Sequence, residues 1–571
     1  MEIIPVSWSD QPNPIPNLRT RTFFITDHPL DEQILKSGLD KLIRNHWRKL
    51  GARIFPSRGD TRLEYHLPHV FPDDYELFKW SSVSAGYSYG ETYELSKILH
   101  PGDGIAFLPN METIDARLRP QDWPYERKDE PPNSPLLYVH LTKFSDGAVL
   151  ATSLPHVFAD QGGLANIVKA WLTVIEGKVP PKMTGYKYDV LGGEKLSNVE
   201  VNQNDRIGRM RIRNKKEESR LVFLPIQVVQ NLRDKARERL DGKHILASEI
   251  SNGDIITAIF TKLARIDTET KYDISLSSTI NLRDRIPELH GERGEGYVHN
   301  AVHYATSNFT IKPSTEIDEI ALQNRIAVNK ALEESDIKAG VKTLRELAKA
   351  NQVMLICEPH HKLYSSSNWS GSWQGIDFTK AAPKSYDLSN HRKEMVVLGQ
   401  SKTLKAPLRY RVAIMCRTSE GFWCDFAAPV KTMALVEKFF SIASVTILGF
   451  SEWRGSLPGH EKPWGLRVPF WINQMFPALK ALPRPEPAEG SSEDHKHWLE
   501  ESDKWTSLRC KCGRGYFCRE HGDWISGHEV GAGNAVPGDQ QQNGSCPSYH
   551  YDDSERETYV GQRDGGQMST A

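Results

Sequence analysis

The sequence predicts a two-domain α/β protein in which strands alternate with amphipathic helices in both halves of the chain. The length is the first observation, because 571 residues exceed what one hydrophobic core usually organises. The second is a predicted β-hairpin, in which apolar runs at 136–144 and 148–153 flank the turn Ser145-Asp146-Gly147. The third is a single helical stripe directly after it: Leu164, Ile167, Val168, Trp171, Leu172 and Ile175.

The rest of the N-terminal half supports this class less evenly. A first strand is predicted at residues 22–25, followed by a helix that Gly51 ends. Its apolar face consists of Leu35, Leu39, Leu42, Ile43, Trp47 and Leu50. Residues 55–135 are rich in proline, glycine and aromatic residues and predict no particular element. We therefore expect a first domain over residues 1–176 and a polar crossover linker over 177–220.

The C-terminal half repeats the alternation, and we expect a second domain over residues 221–482. Predicted in it are a helix from Pro225, a capped helix after Ser251, a strand at 274–280, a long helical region at 315–352, a hairpin at 410–426 and a last helix around 433–440. Residues 483–508 begin with a proline-rich run and are predicted to be a linker. A Cys/His-rich tail over residues 509–571 completes the chain.

Composition excludes several classes of function. A formal net charge of -1 gives no electrostatic reason to expect binding to nucleic acid or to an acidic membrane. No window approaches the roughly 18 apolar residues that a membrane span needs, and the N-terminus shows no signal peptide. The seven cysteines are an odd number, which favours a reducing compartment over a disulfide framework. We therefore expect a cytoplasmic protein.

The predicted junction between the hairpin and the next helix contains His156 and Asp160 in the pattern H-x-x-x-D. The segments N-L-R-D-R-I-P (281–287), G-Y-V-H-N-A (296–301), S-N-W (367–369) and D-F (377–378) follow in this order. Together they resemble the BAHD-type acyl-CoA-dependent acyltransferases, and more closely their fungal branch, which includes trichothecene-type O-acetyltransferases. The resemblance covers roughly residues 1–480.

This resemblance implies a chloramphenicol-acetyltransferase-like fold, with mixed sheets flanked by helices and an active-site channel between two domains. It implies acyl-CoA as co-substrate and a hydroxyl or amine of a small secondary metabolite as acceptor. No cofactor would be required for catalysis, and the protein would be a monomer. Acyl chain length, acceptor identity and the choice between O- and N-acylation depend on pocket shape, and the sequence leaves them open.

His156 is the predicted general base. An acyl thioester is already activated, so the difficult step is attack by a hydroxyl or amine that must lose its proton at neutral pH. A neutral imidazole, with a pKa near 6.5, is suited to take that proton. The bland interpretation is a buried histidine that merely satisfies a backbone carbonyl.

The resemblance implies a structural role for Asp160, with its carboxylate turned toward an arginine that holds the loop. Arg283 is the first candidate and Arg285 the second. Asp160 would also meet the favourable dipole at the start of the helix. The alternative is a helix cap without an arginine partner.

The segment from Asp377 departs from the family, which usually has D-F-G-W-G where this chain reads D-F-T-K-A. We expect Asp377 to support the site. Without the tryptophan, the donor that stabilises the oxyanion is open. Thr379, Lys380 and a backbone amide are the candidates.

The tail reads C-x-C-G-x3-F-C-x2-H-x6-H and resembles the second half of an AN-type zinc finger. The opening C-x2-C of such a finger is missing. Four residues could still complete one tetrahedral zinc site: Cys510, Cys512, His528 and Cys546. The alternative is a degenerate tail that binds no metal.

Two other functions compete with the transferase. One is a catalytically inactive transferase fold that serves as a binding scaffold, with the tail as an interaction module. The other is a carrier-protein-dependent condensation enzyme. That class usually has a second histidine before the motif, whereas residue 155 here is proline.

Overall fold

The computed structural model describes residues 1–447, except 60–61, 103, 193–195, 197–216, 267–269, 354–356, 359, 390–394 and 402–410. It also describes the backbone of four short strands between residues 499 and 526. Most of the predicted crossover linker and the first residue of the predicted 410–426 hairpin therefore lie outside the described residues. The chain divides into two units, residues 1–483 and 484–571.

The first unit contains fifteen described strands, numbered here in chain order. They are β1 (Glu2–Pro5), β2 (Arg19–Thr26), β3 (Arg53–Pro56), β4 (Leu63–Leu67), β5 (Lys79–Ser84), β6 (Ala106–Leu108), β7 (Tyr138–Lys143), β8 (Ala148–Pro155), β9 (Glu217–Pro225), β10 (Tyr272–Asn281), β11 (Val302–Ile311), β12 (Lys362–Asn368), β13 (Val396–Ser401), β14 (Arg411–Arg417) and β15 (Gly421–Pro429).

The α-helices among the described residues are numbered in the same way. They are α1 (Glu32–Asn45), α2 (Tyr93–Leu99), α3 (Met111–Leu118), α4 (Gln161–Ile175), α5 (Ile226–Leu240), α6 (Asn252–Leu263), α7 (Glu292–Glu295), α8 (Ile317–Ala331), α9 (Glu334–Lys349) and α10 (Val430–Ile447). No helix in this part of the chain is both long and apolar enough to cross a membrane.

Two large mixed sheets organise the first unit. A five-stranded sheet has the order β13-β2-β8-β7-β5, and a seven-stranded sheet has the order β11-β10-β12-β14-β15-β9-β6. Each sheet contains one strand from the other half of the sequence. Thus β13 pairs antiparallel with β2, and β6 pairs antiparallel with β9. The mixed α/β fold class is confirmed, while the predicted domain boundaries stay predictions.

The core of the five-stranded sheet fixes the position of α4. Helix α1 lies against α4, and the indole of Trp171 donates to the carbonyl oxygen of Leu35 at 2.9 Å. A Cβ at Gly38 would lie 2.5 Å from the Ile175 side chain, so this glycine lets the two helices approach. The stripe predicted for α4 is buried, with only Ile175 partly exposed. The burial of each large side chain contributes about 1.5–3 kcal/mol to the free energy of unfolding. The start of α4 is therefore held rigidly by the core.

The predicted hairpin is confirmed as β7 and β8, whose closing pair is Lys143 and Ala148. The single helical region predicted for 315–352 is instead two helices, α8 and α9, separated by an extended residue, Glu333 (φ -66°, ψ 139°). Acidic residues then begin α9, where they meet the positive end of its dipole. Residues 55–135, which predicted no element, contain the end of β3, the strands β4 to β6 and the helices α2 and α3.

The second unit contains four described strands in antiparallel succession: β16 (Leu499–Glu501), β17 (Ser507–Cys510), β18 (Gly515–Cys518) and β19 (Asp523–Ser526). Of the predicted zinc ligands, only Cys510 lies in a described strand. Cys512, His528 and Cys546 lie outside the described residues. Within the described part of the chain, no group of three or more histidine, cysteine or acidic residues could hold a metal ion.

Candidate active site

His156 lies at the turn between β8 and α4, two elements that are largely buried. Its backbone amide donates to the carbonyl oxygen of Leu18 at 2.9 Å, which ties the turn to the entrance of β2. The amide of Phe158 donates to the carbonyl oxygen of Pro155, also at 2.9 Å, and tightens the turn. The main chain that carries the imidazole is therefore attached at both sides.

Asp160 caps α4 with its side chain. Its Oδ1 accepts from the amide of Gly163 at 2.7 Å, and its Oδ2 accepts from the amide of Ala301 at 2.9 Å. A carboxylate at this position satisfies a free N–H of the first helical turn and meets the positive end of the dipole. Asp160 thereby joins the start of α4 to the segment 296–301.

Arg283 is the ionic partner of Asp160. Two of its nitrogens lie 3.0 and 3.1 Å from the two carboxylate oxygens. The same guanidinium donates to the carbonyl oxygens of Tyr297 at 3.1 Å and His299 at 2.6 Å. Asp160 and Arg283 are both buried, whereas Arg285 is exposed. Arg283, the first candidate from the sequence, is therefore the arginine at this site.

Two glycines allow this close packing at the first turn of α4. A Cβ on Gly163 would lie 1.8 Å from the carbonyl oxygen of Val298, and one on Gly162 would lie 2.6 Å from the Arg283 guanidinium. Real Cβ atoms do not approach other atoms so closely. The glycines are needed here for space, and they bring the segment 296–301 against the H-x-x-x-D junction.

The His156 imidazole is only partly accessible. Burial lowers its pKa below the ordinary value of 6.5, while its own backbone carbonyl, the charge of Asp160 and Asn300 act in the opposite direction. Its Nδ1 is buried and makes no hydrogen bond with the described residues. The residue as a whole has intermediate exposure. The neutral imidazole therefore dominates at neutral pH.

Three side chains that the sequence did not single out hold the carbonyl groups of residues 156–158. Asn300 Nδ2 donates to the oxygen of His156 at 3.0 Å, and the Tyr65 hydroxyl donates to that of Val157 at 3.1 Å. His299 Nδ1 lies 2.9 Å from the oxygen of Phe158. The sequence marked the segment 296–301 only as one of the family motifs in the expected order, without a role for its side chains. Tyr65 lies in residues 55–135, where no element was predicted.

The segment from Asp377 lies at the other end of α4. Asp377 Oδ1 accepts from the amide and the hydroxyl of Thr379 at 3.0 and 2.5 Å, and so caps the helical turn Phe378–Ala381. Lys380 Nζ pairs with Glu176 at 2.6 Å, directly after the last residue of α4.

Two of the three predicted oxyanion donors, the side chains of Thr379 and Lys380, therefore lie away from His156, while a backbone amide as donor stays a prediction. A helix of the length of α4 separates its two ends by roughly 20 Å at 1.5 Å per residue, and Glu176 follows the far end. Neither Thr379 nor Lys380 can reach a carbonyl that reacts beside His156 from this position. Asp377 stabilises a turn at the remote end of α4 and does not touch the H-x-x-x-D junction.

Comparison with known proteins gives consistent results. A sequence model of the transferase family matches residues 118–405, which is half of the chain. Acetyltransferase pyiB of Pyricularia grisea is 25% identical over 399 residues, or 65% of this chain and 77% of that protein. Transcriptional regulator calD of Penicillium decumbens is 24% identical over 470 residues, or 74% of this chain and 91% of that protein.

Among solved structures, TRI101 of F. sporotrichioides complexed with coenzyme A and T-2 superimposes with a TM-score of 0.54 at 13% identity. The match covers 76% of this chain and 97% of that one. Identity at this level shows a common fold alone. Taken with the family match and the ordered motifs around His156, these results show that the chain belongs to the transferase family, the family of the BAHD-type acyltransferases.

Proposed function

We propose that the protein transfers an acyl group from acyl-CoA to a hydroxyl, or an amine, of a small secondary metabolite. The observation that carries the proposal is the H-x-x-x-D junction, where a partly accessible imidazole of lowered pKa stands on a buried, ion-paired turn. The acetyltransferases among the relatives, and the coenzyme A bound to the TRI101 structure, support acyl-CoA as the donor. T-2 in the same structure supports a small-molecule acceptor.

His156 acts as general base in the proposed reaction. Because Nδ1 is buried, Nε2 is the nitrogen that meets the acceptor, and the proton of the neutral imidazole is then on Nδ1. Nε2 takes the acceptor proton while the acceptor oxygen or nitrogen bonds to the thioester carbonyl carbon. The tetrahedral intermediate then collapses, the C–S bond breaks, and the imidazolium gives its proton to the leaving thiolate. General base catalysis of this kind contributes about 10²- to 10⁴-fold to the rate.

Asp160 and Arg283 support this chemistry without taking part in proton transfer. Both Asp160 oxygens accept hydrogen bonds from backbone amides and from Arg283. The carboxylate is thus fully used in holding the turn. No cofactor enters the proposed reaction, because the thioester itself is the activated group.

The test is thiol release from acetyl-CoA and longer acyl-CoAs with a mixed library of alcohols and amines. We expect acceptor-dependent release that falls by about 10²- to 10⁴-fold in His156→Ala. His290→Ala is the matched control, because His290 is exposed and lies outside both the H-x-x-x-D junction and the segment 296–301. Equal release by wild type and His156→Ala would contradict the assignment of the base.

A second candidate is a transferase fold used as a binding scaffold. The match to transcriptional regulator calD, which covers 91% of that protein, favours it. Calorimetry with coenzyme A separates the two functions. A scaffold would neither bind coenzyme A nor release thiol with any acceptor, whereas the transferase binds coenzyme A even when the correct acceptor is missing.

The zinc site of the tail is a separate proposal on Cys510, Cys512, His528 and Cys546. Thiolate and imidazole ligands in this number suit a tetrahedral zinc ion. Elemental analysis of the purified protein would show one zinc per chain, and Cys510→Ser would reduce it. Protein free of zinc after expression in zinc-supplemented medium would contradict it.

A further inference from the structure

We propose that Tyr65, His299 and Asn300 are positioning residues, which hold the carbonyl groups of residues 156–158 and so aim the His156 imidazole. Lys49 contacts His299 in turn, and Asp10 contacts Asn300. Residues 156–158 are called the base loop below. The proposal rests on the proposed transfer reaction, since it assigns the aim of the base in that reaction. It concerns residues of the N-terminal half and the segment 296–301, which the sequence analysis left without a function.

The geometry shows a complete set of attachments. Each carbonyl oxygen of the base loop accepts from a different side chain: Asn300 for His156, Tyr65 for Val157 and His299 for Phe158. All three donors are buried. Leu18 holds the amide of His156 and Asn300 holds its carbonyl, so both peptide planes beside the Cα are fixed, and with them the direction of the Cα–Cβ bond that carries the imidazole. Tyr65 and His299 hold the two peptide planes that follow. A general base needs an alignment of this kind, because a misplacement of about 1 Å can cost about 100-fold in rate.

His299 must be neutral in this arrangement, by hydrogen-bonding logic alone. Its Nε2 lies 2.9 Å from Lys49 Nζ, which has only donors when charged, so Nε2 accepts. Its Nδ1 faces the carbonyl oxygen of Phe158, an acceptor, so Nδ1 carries the proton. Burial and the neighbouring Lys49 lower the pKa of His299 well below 6.5, which agrees with this assignment.

Aromatic packing restrains the His299 ring further. The ring stacks on Tyr65 with centroids 6.1 Å apart, and it meets Phe158 edge-on at 5.3 Å. Tyr65 also meets Phe158 edge-on, at 5.6 Å. Two of the three donors and one base-loop side chain therefore form one packed aromatic group. Movement of one member disturbs the hydrogen bonds of the others.

Asp10 fixes both the main chain and the side chain of Asn300. Asp10 Oδ1 accepts from both the backbone amide and the side-chain amide of Asn300, at 2.9 and 2.8 Å. The Asn300 Nδ2 group also donates to His156, so both of its hydrogens point at acceptors and the amide cannot be flipped without loss. Burial raises the pKa of Asp10 to about 8 and lowers that of Lys49 to about 8. Both groups are buried, and they contact the donors of the base loop through Asn300 and His299.

Tyr65→Phe is the sharpest test, because it removes one oxygen and keeps the ring. We expect kcat to fall by about 10-fold, less than the roughly 100-fold of a 1 Å displacement, with the KM for acyl-CoA unchanged. Tyr364→Phe is the matched control, since the Tyr364 hydroxyl is buried and has no hydrogen-bonding partner among the described residues. We expect its kcat to equal that of wild type.

A double-variant cycle distinguishes positioning from a general loss of stability. Asn300→Ala is expected to lower kcat by about 100-fold. If Tyr65 and Asn300 hold one loop, the double variant falls by less than the product of the two single effects. All rates are expressed per folded molecule, counted by near-UV circular dichroism. Independent, multiplicative effects, or a kcat per folded molecule equal to that of Tyr364→Phe, would overturn the proposal.

A second readout needs no turnover. Diethyl pyrocarbonate modifies neutral imidazoles, and peptide mass spectrometry gives the rate at His156 relative to the exposed His290. We expect Tyr65→Phe to raise this ratio several-fold and Tyr364→Phe to leave it unchanged. An unchanged ratio in Tyr65→Phe would overturn the proposal. If the wild type transfers no acyl group, the proposed function fails, while this ratio still decides whether Tyr65 holds the base loop.

Discussion

An ion pair lies at each end of helix α4, and the two pairs differ in how far they are buried. At the first turn, Asp160 pairs with Arg283, and their side chains are 9% and 6% exposed. After the last turn, Glu176 pairs with Lys380, and their side chains are 24% and 32% exposed. Both pairs join α4 to a segment that the sequence marked as part of the family pattern.

This difference in burial indicates which of the two segments constrains the reaction. At the first turn every carboxylate oxygen has a backbone or guanidinium donor, so removing one group leaves others buried without partners. At the last turn water can replace either partner, as it does for most surface ion pairs. The predictions below test this contrast, in order of decreasing effect.

Asp160→Ala should produce the largest loss. It leaves the Arg283 guanidinium buried without its carboxylate and removes the cap of α4, and breaking a buried pair costs about 3–5 kcal/mol. The free energy of unfolding from a denaturant titration, followed by tryptophan fluorescence, measures it. Asp160→Asn, which keeps an acceptor for Gly163, should lose less. A loss in Asp160→Ala no larger than in Lys380→Met would remove the contrast.

Gly163→Ala tests the space at the same turn. Its Cβ would lie 1.8 Å from the carbonyl oxygen of Val298, so the backbone must move. Overpacking of this kind costs about 1–3 kcal/mol, occasionally more. Gly371→Ala is the control, because nothing lies within 4 Å of its Cβ position. Equal unfolding free energies for the two variants would show that the segment 296–301 is not held closely against α4.

The pH profile of kcat/KM sharpens the assignment of the base. His156 is active when neutral, and burial lowers its pKa below 6.5. Activity should therefore be constant through neutral pH and fall as the pH drops through a value below 6.5, where the imidazole takes up a proton. Circular dichroism over the same range checks that the fold persists. A midpoint above 6.5 would mean that His156 is not the group observed, or that its charged form is stabilised.

Lys380→Met should have the smallest effect of the series. Its partner Glu176 is solvent-accessible, so we expect neither kcat nor the denaturation midpoint to change measurably. A large loss of kcat with unchanged coenzyme A binding would indicate that Lys380 does contact the reacting carbonyl.

The sequence predicted what depends on local pattern. The β7–β8 hairpin and the apolar stripe of α4 follow from two short periodicities, and both appear in the structure. The three-residue strand β6 is too short to show a period, and the break before α9 is a single extended residue within a helical pattern. Such features depend on packing between distant segments.

The candidate site divides in the same way. Asp160 and Arg283 are 123 residues apart, and only the ordered family motifs suggested their pairing. The attachments of the base loop come from Tyr65 and the segment 296–301 and end on main-chain oxygens. A main-chain acceptor leaves no mark in the residue pattern. Side-chain chemistry alone therefore could not identify these donors.

The pairing of β13 with β2 has a consequence for synthesis. Residues 20–25 of β2 pair with residues 396–401, so the five-stranded sheet cannot close until residue 401 has left the ribosome. Until then one edge of β2 is an open template for pairing with other chains. Residues 1–176 made alone would keep that open edge, and we expect them to aggregate more readily than the full chain.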